Sequence, residues 1–143
     1  MALNDHVLAE LPRFRAEAEG LMGDTFAAYS EGFVVVDGLE EPGWTLQYET
    51  RGRVVGQSRN ADAESRTVTV GGVEREVLQG GLHIPLSAAL PAIGWVFVCT
   101  AVGAGSDPAL VGRKWRVQDV PTKSYATARR LDVIALDHTE GPA

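Results

Sequence analysis

Three histidines, one cysteine and a few close-set acids are the residues of this chain that could do chemistry, and their spacing argues against most of it. His6, His83 and His138 are far apart, and none has a metal-ligand spacing such as His-x3-His. His6 near a helix start and His138 in a terminal tail read as solvated. His83, beside Pro85, reads as a satisfied or exposed sheet histidine. Cys99 is the only cysteine, so no intrachain disulfide can form. It lies inside the apolar run Trp95 to Val102 and reads as a small buried hydrophobe, because no histidine is obviously paired with it to raise a nucleophile. Glu74 and Glu76 flank Arg75 on one strand face, with carboxylates about 7 Å apart by strand rise. A glycosidase pair also needs a cleft and aromatic platforms, so a solvent-facing pair is the simpler reading. Glu40 and Glu41 read as a solvated turn. Val102 to Asp107 contains Gly-x-Gly without the third glycine or a following helix, and neither a phosphate-binding loop motif nor Gly-x-Ser-x-Gly occurs. The expectation is a protein that is not an enzyme, with no cofactor and no metal.

The charged residues suggest contacts instead. Arg129 and Arg130, with Lys123 nearby, are the densest basic spot. Strand geometry sends two adjacent arginines to opposite faces. A salt bridge between subunits or within the chain is the first reading, solvation the second and a nucleic-acid phosphate the third. The net charge of −6, from 19 acids and 13 bases, disfavours a general nucleic-acid binder. Residues Arg51 to Arg66 carry Arg51, Arg53, Arg59, Asn60, Asp62, Glu64 and Arg66, with only Val54 and Val55 strongly apolar. This predicts an exposed, mobile loop over about 51–66. Loops of this length in small domains tend to be functional, so these residues are candidates for a channel or partner contact.

The elements that must position these residues follow from periodicity. A chain of 143 residues is one domain by length and needs no metal or disulfide to hold a core. Val7, Leu8, Leu11, Phe14, Ala18, Leu21 and Met22 recur at three- and four-residue spacings, which predicts a helix over about 4–22, capped by Asn4 or Asp5. Pro12 predicts a kink, or a regular helix that starts close to it. From Asp24 the period changes to two. Thr25–Tyr29, Phe33–Val36, Trp44–Glu49, Thr67–Val70, Val73–Leu78, Leu82–Leu86, Ile93–Val102, Arg113–Val120 and Ala126–Leu136 read as short strands, the last with a start that could be helical. Gly38 to Gly43 and Gly80-Gly81 read as breaks. Residues 137–143 read as a frayed tail. The fold class is mainly β: a small β-barrel or sandwich of about eight short strands, with one N-terminal amphipathic helix and a β domain over about 24–136.

No apolar run approaches the ~20 residues of a membrane span. Asp5, Glu10 and Glu17 replace the basic start of a signal peptide, so synthesis in a cytoplasm with no membrane partner is expected.

Two blocks carry a resemblance. Asp107-Pro108, Leu110, Gly112-Arg113 and Trp115 to Val117 form the first, and Lys123 to Thr127 with Arg129, Arg130 and Leu131 form the second. They resemble the closing strands of the head-closure (head-tail stopper, or connector) proteins of actinobacteriophages. The N-terminal helix and the order of the strands are similar more loosely over nearly the whole chain. The resemblance implies a small β-barrel with a helix and long loops. It implies a structural virion protein, a homo-oligomeric ring assembled on a partner in the phage neck. The implied partners are portal or adaptor proteins above, a tail terminator or tail tube below, and packaged DNA in the channel without sequence-specific binding. The implied place is the virion, after synthesis in the host bacterial cytoplasm. Lys123, Arg129 and Arg130 then become candidate intersubunit contacts. Another neck or tail component, an adaptor or tail terminator, is the alternative, and a β-barrel ligand-binding module a more distant one.

Overall fold

The change of hydrophobic period at Asp24 marks the boundary between a helix and a sheet. The computed structural model describes residues 3–55, 65–70, 73–122, 124, 126–137 and 139–143, with side chains for all of these except 3–5, 65–70 and 73–79. Among the described residues, α1 (Leu3–Gly20) precedes β1 (Asp24–Val36), β2 (Leu39–Val55), β3 (Ser65–Val70), β4 (Val73–Ile84), β5 (Val96–Ala101), β6 (Lys114–Asp119) and β7 (Arg129–Ala135).

The strands pair antiparallel in the order β2-β1-β5-β6-β7-β4, and β2 returns to β4 through Arg53↔His83, Val54↔Leu82 and Val55↔Gly81. That last pairing closes a six-stranded barrel, with β3 attached only to the N-terminal half of β4. The expected mainly β class with one N-terminal helix is correct, and of barrel and sandwich the chain forms the barrel. The expected count of about eight strands is corrected to seven. Two pairs of short strands are each one long strand. Ser30, Glu31 and Gly32 do not interrupt β1, because they pair with Thr45, Trp44 and Gly43. Gly80 and Gly81 do not break β4, because they pair with Val133 and Asp132. The expected turn over Gly38 to Gly43 shrinks to Asp37-Gly38, both with positive φ (52° and 79°), as a two-residue hairpin turn requires.

All six strands of the barrel wall send side chains inward, β2 through the partly buried Tyr48 and Val54. Phe26, Leu82, Ile84, Phe97, Cys99, Trp115, Val117, Leu131 and Val133 meet in one core. Phe26 and Trp115 pack edge to face, with ring centroids 5.9 Å apart. Gly52 in β2 makes room for this. A Cβ there would lie 2.9 Å from the Phe26 ring and 3.0 Å from the His83 carbonyl, at the strand crossing where the barrel closes. Trp115 and Val117, two residues apart in β6, share the face that looks into the core.

α1 accommodates Pro12 without interruption and ends at Gly20, slightly short of the expected limit. Its predicted stripe is only partly used: Leu11 and Met22 are buried, whereas Leu8, Phe14 and Leu21 are exposed. No described helix is long and apolar enough to cross a membrane.

Candidate functional site

Two surfaces stand out, and one strand, β2, serves both. The first is a cleft beside the end of α1. Arg51 in β2 donates from Nε to the Met22 carbonyl at 3.0 Å and from Nη2 to the Glu19 carbonyl at 2.7 Å. Carbonyls at a helix C-terminus lack intrahelical donors and mark the negative end of its dipole, so a guanidinium is well suited to close it. Arg15 ties the helix from the other side, donating from Nε to the Ala126 carbonyl at 3.1 Å. Between the helix end, the barrel wall and the β6–β7 connection lies a cleft of about 490 Å³, lined by Leu21, Arg53, His83, Ala126, Arg129 and Arg130 among others.

Register builds the basic row of that cleft. Arg53 lies opposite His83, and His83 opposite Arg130. Residues directly across an antiparallel pair share a face, so the three side chains stand side by side on the outside of the barrel. Arg130 pairs with Asp132 at 3.4 Å, but both side chains are well exposed and the pair contributes little. Arg129 takes the opposite face, and its Nε is buried without a hydrogen-bond partner. Burial pushes the Tyr48 phenol above its ordinary pKa of 10.0, and the positive charge of Arg129 partly opposes that. The Tyr48 hydroxyl donates to the Ala89 carbonyl at 2.7 Å.

The second surface is an arm. Pairing of β1 with β5 stops at Tyr29↔Val96, but pairing with β2 continues to Val36↔Leu39. At the departure point the register shifts: Ala28 faces Tyr48 and Tyr29 faces Leu46, which leaves Gln47 as the extra residue of a bulge. Bulges bend a strand and increase its twist, and this one sits where the hairpin leaves the wall. Gln47 Nε2 donates across the hairpin to Ser30 Oγ at 2.8 Å. The arm then runs roughly 20 Å past the barrel, at ~3.3 Å per residue. Phe33, Val35 and Leu39 are 75%, 71% and 69% exposed, and Val34 and Val36 are also exposed. Glu31, Asp37, Glu40 and Glu41 accompany them, and no lysine or arginine occurs anywhere in residues 24–50. Glu31 meets Arg116 of the barrel at 3.3 Å, at the arm's base.

The sequence-predicted residues fall unevenly on these surfaces. The expected loop over 51–66 is corrected at both ends: Arg51 and Arg53 belong to β2, and Ser65 and Arg66 begin β3. Arg51 is used in holding the helix and Arg53 lines the cleft. Arg59, Asn60, Asp62, Glu64 and Lys123 lie outside the described residues. Arg129 and Arg130 both line the cleft, on alternate faces of β7. Among the described residues, those weighed for chemistry do not converge. Cys99 is buried, and its Sγ donates to the Ala101 carbonyl at 3.4 Å. Burial, and secondarily the Asp24 carboxylate, pushes its thiol above the ordinary value of 9.0, away from thiolate reactivity. Trp115 is in the core, and Trp95, half-buried, packs against Tyr48 and lines a shallow pocket with Phe33 and Pro42.

Sequence reasoning missed the arm. Its signal was present: four consecutive apolar residues, Phe33 to Val36, lie across from Leu39, Glu40, Glu41 and Pro42. A buried apolar run does not normally face charges and a proline, and that mismatch marks a strand pair with no third layer over it.

The family described as a family of unknown function, DUF6093, matches residues 14–134. The chain belongs to that family. The matched span starts inside α1 and ends inside β7, so it takes in the whole arm and the basic row of the cleft. No curated protein and no solved structure matches the chain.

Proposed function

We propose that this DUF6093 member is a structural protein of a phage neck, forming a ring between the portal or adaptor and the tail that closes the filled head and joins the tail. The observation that carries the reading is a closed barrel with an apolar arm projecting from it. The closed wall itself leaves no strand edge free, so contacts with other proteins fall to the parts that stand out from it, the arm among them. A contiguous exposed apolar patch on such a projection is the mark of a protein–protein contact.

The sequence resemblance adds to this, because its residues hold structural positions. Asp107 caps a short 3-10 turn by accepting the Ala109 N–H at 2.9 Å. Gly112 sits at φ 85°, where other residues are strained. Trp115 and Val117 fill the core. An adaptor would be mainly helical, and this chain is mainly β. A tail terminator is the nearest rival role. Exposed Trp44, Trp95 or Trp115 side chains on one concave surface would favour a sugar-binding barrel, and Trp115 is buried. In the neck reading the partners are portal or adaptor, tail terminator or tail tube, and the DNA in the channel.

Disruption of the gene in a phage that carries it tests the proposal, scored by electron microscopy. The expected result is separate tails and heads that have lost DNA or stay tailless, with tailed particles restored by complementation. Normal yields of infectious, tailed particles overturn it. Complete tails of abnormal length on closed heads would assign the terminator role instead.

A further inference from the structure

We infer that the β1–β2 arm of one copy seats in the basic cleft of a second copy, so that the protein associates with itself head to tail. The inference rests on the ring reading for its setting and deepens it by naming the two surfaces that meet.

The surfaces are complementary in two respects. The arm presents Phe33, Val35 and Leu39 beside Asp37, Glu40 and Glu41, with no basic residue among them. The cleft presents Leu21, 63% exposed, and Ala126 beside Arg53, Arg129 and Arg130, with Asp132, the partner of Arg130, as its one carboxylate among the described lining residues. Apolar contact excludes water at the centre, and opposite charges around it set the register and disfavour wrong partners. An isolated two-stranded hairpin is marginal in water, so the arm has reason to be covered.

The occupant of the cleft is another copy because the arm cannot reach its own. Arm tip and cleft lie on one strand, at Leu39 and Arg53 of β2. Fourteen residues of extended strand separate them by roughly 45 Å. β2 is held along that length by β1 and then β4, so it cannot fold back. A contact between unlike patches on identical chains is heterologous: it propagates from copy to copy and closes into a ring when the rotation allows. The charge pairs are at the rim, so association weakens as salt rises.

The test uses two variants of the full chain, each with one surface disabled. F33S/V35S/L39S alters the arm, and R53E/R130E alters the cleft. Circular dichroism and thermal melts establish that both fold. In sedimentation velocity at low salt, the unaltered protein is expected to give species larger than dimer as concentration rises. Each variant alone is expected to associate more than about tenfold more weakly. An equimolar mixture of the two has one intact arm facing one intact cleft, and is expected to give dimer and nothing larger. Variants that associate like the parent, or a mixture that stays monomeric while the parent associates, overturn the inference.

A covalent trap covers weak association. Cysteines at Leu39 and Ala126 of one chain lie too far apart to join within a copy, and copper-phenanthroline oxidation is expected to give an intermolecular ladder. A control with cysteines at Leu39 and Leu90, the second exposed elsewhere on the barrel, is expected to give none. No ladder, or equal ladders from both, overturns the inference. These measurements use the isolated protein, so they separate the two readings. A ladder with normal tailed particles after gene disruption leaves the contact and removes the neck role. No ladder with tailless particles does the reverse.

Discussion

β1 is two different strands in one. Asp24 to Ala28 are almost entirely buried, whereas Glu31 to Val36 are all exposed. Composition does not explain this, since Phe33-Val34-Val35-Val36 is at least as apolar as Phe26-Ala27-Ala28. The difference is the number of neighbours. As far as Tyr29 the strand has β2 on one side, β5 on the other and a closed interior beneath it. Beyond the bulge it has β2 alone. Hydrophobic burial needs a layer as well as a ladder, and a lone hairpin supplies only the ladder. The first half of β1 therefore stabilises the monomer, and the second half is suited to contacts the monomer cannot make.

The largest test of that contrast is truncation of aromatic side chains in each region. Trp115→Ala is expected to destabilise by roughly 3–5 kcal/mol and Val117→Ala by somewhat less, read from denaturant midpoints. Phe33→Ala and Val35→Ala, on the arm, are expected to change stability by less than about 0.5 kcal/mol. Equal losses in both regions would show that the arm is packed on its own barrel.

Glycine replacements sharpen the same comparison at smaller amplitude. Gly52→Ala pushes a methyl against the Phe26 ring and the His83 carbonyl, and is expected to cost roughly 1–3 kcal/mol. Gly32→Ala, in the arm, meets nothing within 4 Å, and is expected to cost nothing measurable in a thermal melt. A larger loss at Gly32 than at Gly52 would reverse the assignment of core and arm.

Arg51→Ala removes two hydrogen bonds to the helix end, one of them exposed, and is expected to cost about 1 kcal/mol. Hydrogen exchange is expected to rise first in α1, with the barrel strands unchanged. Protection lost equally throughout would mean that the helix is an integral part of the barrel.

The smallest effect is on pH dependence. Cys99 and Tyr48, both set within the barrel, have pKa values raised from 9.0 and 10.0, with burial the main cause. The native state holds these protons after the unfolded chain has released them. Their contribution is present in full below the ordinary values and is lost as pH rises past them toward the native ones. Stability is expected to decline above about pH 9 in denaturant titrations, and less steeply in Cys99→Ala. An unchanged slope would place the thiol in contact with water.

Much of this organisation was legible in the residues. Alternation in Arg113 to Val120 is enough to put Trp115 and Val117 on one face, and the apolar run Ile93–Val102 marks a strand, which the structure shortens to Val96–Ala101 with Ile93 exposed outside it. The misreadings cluster at glycines. Ser-Glu-Gly at 30–32 and Gly80-Gly81 were read as breaks, yet strands run through both, because ladder hydrogen bonds come from the backbone and need no side chain. The cleft was half legible: Arg129 and Arg130 were noticed as a pair, but Arg53 and His83 joined them only through cross-strand register.

The sequence by itself determined what each stretch can do locally: a helix before Asp24, strands after it, and a turn near Gly38. Those outcomes depend on spacing, backbone conformation and residue type, which are properties of neighbours along the chain. Only the tertiary structure decided which apolar residues are covered, that six strands close on themselves, and that Arg53, His83 and Arg130 form one row. Those depend on pairing between residues far apart in the chain. Phe26 and Phe33 are the same residue type, seven positions apart in one strand, and only the presence of β5 and a closed interior makes one core and the other surface.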